Sequence, residues 1–562
     1  MTTMNFKFLA FSAIIILITS CAPDDSADKI LHNGNIVTMD NETPEAEALA
    51  IKNGEILAVG DYDDLISYQG AETELIDLDG QLAIPGFIEG HGHFTGIGNA
   101  ELQLALRNLS SWQEIVDMVA EAAEEAEDGE LIRGRGWHQN DWDTPPERQI
   151  GDLPHHEKLS EVSPDNPVVL THASGHMSFA NQQAIEMAGV DAQTSDPDGG
   201  EIVRDEQGNP AGAFRQTAQG LLSEVTDLWD PEIEELADSA SKQIASYGIT
   251  TFQDAGTSID DISELMAMVN HDNPDIRLWM MVRDNNETMQ QNLPDYAGVI
   301  EDNPYFKVGG IKKAIDGALG THGAWLLQPY EDDPETTGYN TTPLDEIIEA
   351  GELALEHDLQ LAVHAIGDRG NRETLDIFEQ LFEDHDVIDQ DLRWRIEHAQ
   401  HLHPDDIPRF AELDVVASMQ AIHATSDGPW VYRRLGDQRA EQGAYVWRTL
   451  LDQGTVIVNG TDAPVEPVDP LGSFHASVTR EMDDGEIFFE NQTMTREEAL
   501  RSYTLDAAYA IFEEDSRGSL SEGKLADITI LDRDIMSIPE NEITDTEVKY
   551  TIVGGEIIYE RE

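Results

Sequence analysis

Pro85-Gly86-Phe87-Ile88-Glu89-Gly90-His91-Gly92-His93 is the stretch on which the fold turns. The apolar run Gln81-Leu82-Ala83-Ile84 leads into it and reads as a buried strand, which Pro85-Gly86 punctuates. His91 and His93 stand two residues apart in an extended segment, so both imidazoles face the same side. Two neutral imidazoles meeting at one point suit a zinc-like cation. The pair alone is a weak signal: 18 histidines in 562 residues give roughly 0.6 His-x-His pairs by chance. The chain also carries a second pair, His401-Leu402-His403. The first pair gains weight from its partners further along the chain.

Beyond the pair, short apolar strands alternate with longer helical stretches. Strands are expected at Ile249–Gln253, Ile276–Val282, Phe306–Ile315, Leu359–Val363, Arg393–Glu397, Val415–Met419 and Thr455–Asn459. With the run before His91 they make eight. Helices are expected at Pro231–Tyr247, Thr342–His357 and Arg496–Phe512. Eight such units predict an α/β fold, a TIM-like (β/α)8 barrel. The first two strands are separated by far more chain than one βα unit needs, so a large insertion is expected at about 103–228, with a hairpin near Gly199–Phe214. Ile30–Asp40 and Ala48–Gly60 carry Asn-Gly hairpin signals at Asn33-Gly34 and Asn53-Gly54. Ala526–Leu531 and Val548–Tyr559 show similar chemistry at the other end. Residues 29–84 and 511–562 are therefore expected to form one small β-sandwich domain, flanking a barrel domain at 85–510.

Active sites of such barrels lie at the C-terminal ends of the strands. There the sequence places His91 and His93, one of Lys312 and Lys313, then His364, His398 and Asp462. Polar groups from five strands would meet in one cavity. Alternation along a strand lets only one of the two lysines face inward.

Composition narrows the partners. With 33 basic and 111 acidic residues the net charge is −78, a surface that repels nucleic acid and anionic lipid and is heavily hydrated. The single cysteine excludes an internal disulfide. It follows a charged start, the apolar stretch Phe8–Ile18 and Thr19-Ser20, which together resemble a lipoprotein signal peptide over residues 1–20. Cys21 would then carry the lipid, residues 21–28 would be a polar tether, and Ala22 favours the outer membrane. Expected are a cell-envelope location, contact with the membrane through that anchor only, and a small-molecule substrate. A homo-oligomer is compatible with all of this.

The motifs together resemble the amidohydrolase superfamily, in its amidohydrolase 3 branch of YtcJ-like proteins and N-substituted formamide deformylases. They are Pro85–His93, Gly310-Ile311-Lys312 with Asp316–Gly320, Val363–Asp368, Ile396–Gln400, Ser418-Met419-Gln420 with His423, Gly460–Val465 and Gly518–Asp527. The resemblance implies two divalent ions, usually zinc. His91, His93 and Asp462 would hold one, His364 and His398 the other, and Lys312 would bridge them as a carbamate. It implies hydrolysis of a non-peptide C–N bond, amide or N-formyl, by metal-activated water, with Asp462 as general base and then general acid. A deaminase on the same scaffold and a non-catalytic binding lipoprotein are the rivals. The chain departs from the branch at His138 after Gly136-Trp137, at Ser174-Gly175-His176 and at His322. These departures bear on the substrate. His176, His322, His423 and Trp430 are the candidate substrate contacts, whereas Trp137, Trp142 and Trp325 are expected to pack.

Overall fold

The computed structural model describes residues 26–561 apart from 108, 140–141, 173–176, 198, 270–274 and 297–302. Eight parallel strands follow one another around a single sheet in chain order. They are β1 (Phe87–Gly92), β2 (Ile249–Thr257), β3 (Arg277–Val282), β4 (Phe306–Ala314), β5 (Gln360–Ala365), β6 (Arg395–His398), β7 (Val416–Met419) and β8 (Ile457–Asn459). Their interior-facing and helix-facing side chains are nearly all buried, as strands covered on both faces require. The ring draws together where β8 meets β1. Asp462 N–H donates to His91 O at 2.7 Å, and His93 N–H donates to Ala463 O at 2.8 Å. A Cβ on Gly90 would lie 2.3 Å from Val458 and 2.4 Å from Asn459 O, so this approach needs glycine.

The run before the His-x-His motif is not the first barrel strand. Leu82–Pro85 belongs to a six-stranded sheet, parallel to Asn35–Val37 and antiparallel to Ile528–Leu531. Pro85 has no N–H to extend that ladder. At Gly86 the N–H donates to Asp527 O at 2.9 Å, and at Phe87 it donates to Gly248 O at 3.1 Å, which begins β1. An apolar run reports burial but not which sheet buries it.

The six-stranded sheet combines strands from both chain ends and faces a four-stranded sheet from residues 29–77. Leu31, Ile36, Leu49, Ile528, Ile530 and Ile552 are buried in a shared core. Ala48–Lys52 and Glu55–Gly60 form the expected hairpin, with Asn53 and Gly54 at φ 52° and 82°. Asn33-Gly34 does not make a hairpin. Lys29–His32 lies in the four-stranded sheet and Asn35–Val37 in the six-stranded one, so the chain changes layer there. A Cβ on Gly34 would sit 2.5 Å from Leu78 Cδ1.

Between β1 and β2 the chain forms a separate six-stranded sheet, from Leu104–Ala105 to Pro210–Gln216, with the hairpin Gly200–Arg204/Pro210–Gln216 at one edge. Trp137 is buried there and donates Nε1–H to Leu170 O at 3.2 Å, with Trp142 stacked 6.0 Å away. The expected helix at 496–512 is two helices, Arg496–Ser502 and Leu505–Ala510. They break at Thr504, whose φ and ψ are −133° and −93°. Among the described residues no helix is long and apolar enough to cross a membrane.

Candidate metal centre

The centre starts with the tautomer of His91. Its Nδ1 lies 2.5 Å from Glu397 Oε2, and both side chains are fully buried. Burial works against charge on Glu397, but Arg395 and His91 hold its carboxyl well below the usual range. A carboxylate only accepts, so His91 carries its proton on Nδ1 and presents a lone pair at Nε2. That buried Nε2 has no hydrogen-bond partner. Arg395 Nε in turn donates to Glu397 Oε1 at 2.7 Å, and its Nη2 donates to Gly90 O and Ser418 Oγ, each at 2.8 Å. Arg395 also donates to Gln253. This is the outer-sphere orientation that ligand imidazoles usually have.

Asp462 Oδ1 lies 3.3 Å from His91 Nε2 and 3.2 Å from His93 Nε2. With the His91 proton on Nδ1, a lone pair and a carboxylate face each other at ion-pair distance. A proton cannot satisfy that arrangement without leaving Nδ1, whereas a cation satisfies both groups. Ligand atoms of His91, His398 and Asp462 all lie within 4.8 Å of one another. The donor set therefore fits a metal ion.

His398 joins through an irregular backbone. Arg395 and Glu397 face inward by alternation, which would turn His398 outward. At φ 73°, followed by Ala399 at 42°, it turns inward instead. Its ring lies 4.7 Å from that of His91 and 4.4 Å from that of His364. Its Nδ1–H donates to Gln420 Oε1 at 2.7 Å, leaving Nε2 for a cation. Asp462 is also left-handed, at φ 58°. Such conformations carry strain and gather at functional sites.

Burial, then the neighbouring His364 and His91, hold His398 well below its ordinary value. Burial, then Lys312, lower His364 to about 3. Both rings are thus neutral ligands near neutrality. Asp316, from the Asp316–Gly320 motif, accepts from Ile366 N–H at 2.9 Å, Gly367 N–H at 2.8 Å and Trp325 N–H at 2.8 Å. It stands 3.7 Å from His364 Nε2, a buried nitrogen with no hydrogen-bond partner, and so fixes the segment after β5. His93 and His364 are partly open, with side chains 31% and 20% exposed.

Lys312 is buried on the inner side of β4 with its Nζ donating to Ala255 O at 3.2 Å, whereas Lys313 reaches outward to Asp284 O at 2.9 Å. Burial lowers Lys312 to about 8, against the pull of Glu397 and Asp462.

Of the four candidate substrate contacts, His423 comes to the cluster: its ring stacks on that of His398 with centroids 6.2 Å apart, and its Nδ1 faces Gln400 Nε2 at 3.3 Å. His322 instead engages Asp332 at 3.1 Å, alongside Arg434. Trp430 covers Gly320, where a Cβ would approach its ring to 3.3 Å. His176 lies outside the described residues, as do Cys21 and the whole signal segment. Glu397, Gln420 and Asp316 stand inside motifs legible in the sequence, which gives them no positioning role there, and Arg395 lies outside those motifs. Inward alternation from Arg395 to Glu397, just before His398, is the signal that marks two of them.

The comparisons agree with this geometry. The amidohydrolase family model matches residues 74–559. The protein LONG AFTER FAR-RED 3 of Arabidopsis thaliana is 34% identical over 95% of this chain and 92% of its own length. YtcJ of Bacillus subtilis strain 168, named as an amidohydrolase, is 33% identical over 95% and 99%. The N-substituted formamide deformylase of Arthrobacter pascens is 26% identical over 95% and 98%. Among solved structures, an uncharacterized metal-dependent hydrolase from Pyrococcus furiosus superposes with a TM-score of 0.73 at 28% identity, covering 91% of this chain and all of that one. The chain belongs to the amidohydrolase family.

Proposed function

We propose that this hydrolase cleaves a non-peptide C–N bond, of amide or N-formyl type, in a small molecule. The observation that carries the reading is His91: its Nδ1 is fixed by Glu397, and its partnerless Nε2 is aimed at Asp462. His91, His93 and Asp462 would hold one divalent ion, and His364 and His398 a second, zinc being the ion best matched to these donors. Lys312 would join them as a carbamate. An ammonium cannot ligate, and burial already lowers this amine to about 8, so near neutrality a fraction is free to take up carbon dioxide with loss of one proton. When bound, the two cations would acidify a water molecule and polarise the substrate carbonyl. Asp462 would accept the water's proton and return it to the leaving nitrogen. His423, beside His398, is placed to contact the substrate.

The amide reading draws on the formamide deformylase relative. It is tested by supplying N-formyl and N-acyl amines to the purified chain. Amine release that stops with chelator and returns on adding zinc is the expected result. Ammonia release from aminated rings in its place would move the chain to the deaminases, and no turnover of either class would overturn the reading. We also propose a lipid anchor on Cys21 after a signal peptide at 1–20, holding the enzyme in the outer membrane. Cys21→Ser should release it from the membrane fraction, and retention would contradict the anchor.

A further inference from the structure

A second cavity lies outside the metal cluster, between the barrel and the inserted sheet, with a volume of about 210 Å³. Ile97 and Ala100 of the helix Phe94–Glu101 form one wall, and Ala463 and Pro464 another. Arg107 and Arg135 reach in from the insertion.

These two arginines are unusual here. The chain has more than three carboxyl side chains for every basic one, and most of its other arginines sit in ion pairs, such as Arg148, Arg277, Arg393 and Arg409. Among the described residues, Arg107 and Arg135 have neither an ion pair nor a side-chain hydrogen bond. Glu101 and Glu466 line the same cavity without coming within ion-pair distance of either. The backbone is shaped for the arrangement. Leu104–Ala105 pairs with the strand Ile132–Trp137, bringing Arg135 level with Ala105. Gly136 sits at φ 99°, and a Cβ there would lie 2.4 Å from Arg107 Cγ. Glycine is therefore required for Arg107 to lie across this strand. Burial, and then Arg107 itself, act against the charge on Arg135. Arg107 is exposed and Arg135 half-buried; two adjacent guanidiniums that neither carboxylate of the cavity engages, beside apolar walls, are complementary to an oxyanion on a short hydrocarbon body. The volume equals about seven waters, which suits a small ligand rather than a polymer.

We infer that the cavity walled by Arg107, Arg135, Ile97, Ala100 and Ala463-Pro464 is a binding site for a short-chain organic carboxylate, separate from the metal centre. The site adjoins the catalytic end of the barrel through Ala463 and Pro464. A Cβ on Gly96 would sit 3.2 Å from both His93 Cβ and Pro464 Cδ, and Ala463-Pro464 directly follows Asp462. An occupant therefore braces the segment that carries Asp462.

The test is calorimetric titration of the full chain with sodium butyrate and, separately, sodium phosphate, neither of which is hydrolysed. Butyrate should bind, more tightly than phosphate, and more weakly as salt rises. Arg107→Met and Arg135→Met should each weaken butyrate by about tenfold or more. Ala100→Phe should block the cavity and abolish binding while keeping both guanidiniums; thermal melts check that each variant is folded. No butyrate binding to the unaltered chain would overturn the site. Unchanged affinity in both arginine variants, or in Ala100→Phe, would do so as well. Phosphate binding as tightly as butyrate would overturn the carboxylate assignment. None of these readouts depends on turnover, so they stand or fall apart from the proposed hydrolysis.

Discussion

Two buried arginine–carboxylate pairs invite comparison. At the seam of barrel and sandwich, Arg277 grips Asp527 through two bonds of 2.8 Å. Its remaining donor reaches Pro304 O at 3.2 Å, and Gly554 N–H donates to Asp527 Oδ1 at 2.9 Å. In the barrel, Arg395 grips Glu397 in a similar way, but Glu397 then passes the constraint to His91, whose far nitrogen has no partner. In the first pair both Asp527 oxygens are engaged and the pair joins two layers of the fold. The second stays open at one end, and the open end is where a cation fits. Both remove charges from water at a cost that partners must offset. What separates these two pairs is therefore that only the second hands its constraint to an imidazole whose far nitrogen is left unsatisfied beside a carboxylate.

The largest effect should come at the open end. Asp462→Asn should lower turnover by roughly 10²–10⁴-fold, with most bound metal retained. Full activity in that variant would remove Asp462 from proton transfer. Next, Arg395→Met and Arg277→Met should each destabilise the fold by about 3–5 kcal/mol, since each leaves a buried carboxylate unpaired. Only Arg395→Met should also lower metal content. Equal metal loss in both would erase the distinction between the two pairs. Glu397→Gln should then weaken metal binding by roughly 10–100-fold, measured by chelator competition, while the melting temperature changes less than in Arg395→Met.

The last test concerns a histidine in neither network. His401 is buried, and burial lowers it to about 3. In the unfolded chain it would protonate near 6.5. The unfolded state thus binds the extra proton between those values, and stability must fall as pH drops through that window. His401→Phe should flatten part of the decline in melting temperature between about pH 6.5 and 3. An unchanged pH profile would mean that His401 is charged in the fold.

The two His-x-His pairs show how far sequence reaches. His91 and His93 converge on Asp462, but His401 packs edge-on against Tyr445 and His403 faces Asp405 at the surface. The motif is the same, and only the partners from other strands differ. Those partners were legible because active sites gather at strand ends in barrels, so His364 and Asp462 could be placed from the pattern, and His398 at the end of its strand though not its inward turn. Alternation likewise anticipated that only one lysine faces inward. What escaped were features set by tertiary context. Leu82–Pro85 is equally apolar in either sheet, and Asn33-Gly34 makes a layer change from the same residues that make a hairpin at Asn53-Gly54. Nothing local shows that His398 turns inward through a positive φ. His322 carries the chemistry of a ligand, yet Asp332, ten residues on, engages it.

The most direct test is elemental analysis of the full chain purified without chelator, beside His91→Ala. About two divalent ions per chain, with a marked loss in the variant, is the predicted result. A metal-free protein that takes up no zinc, or a variant that keeps its full complement, would contradict the centre described here.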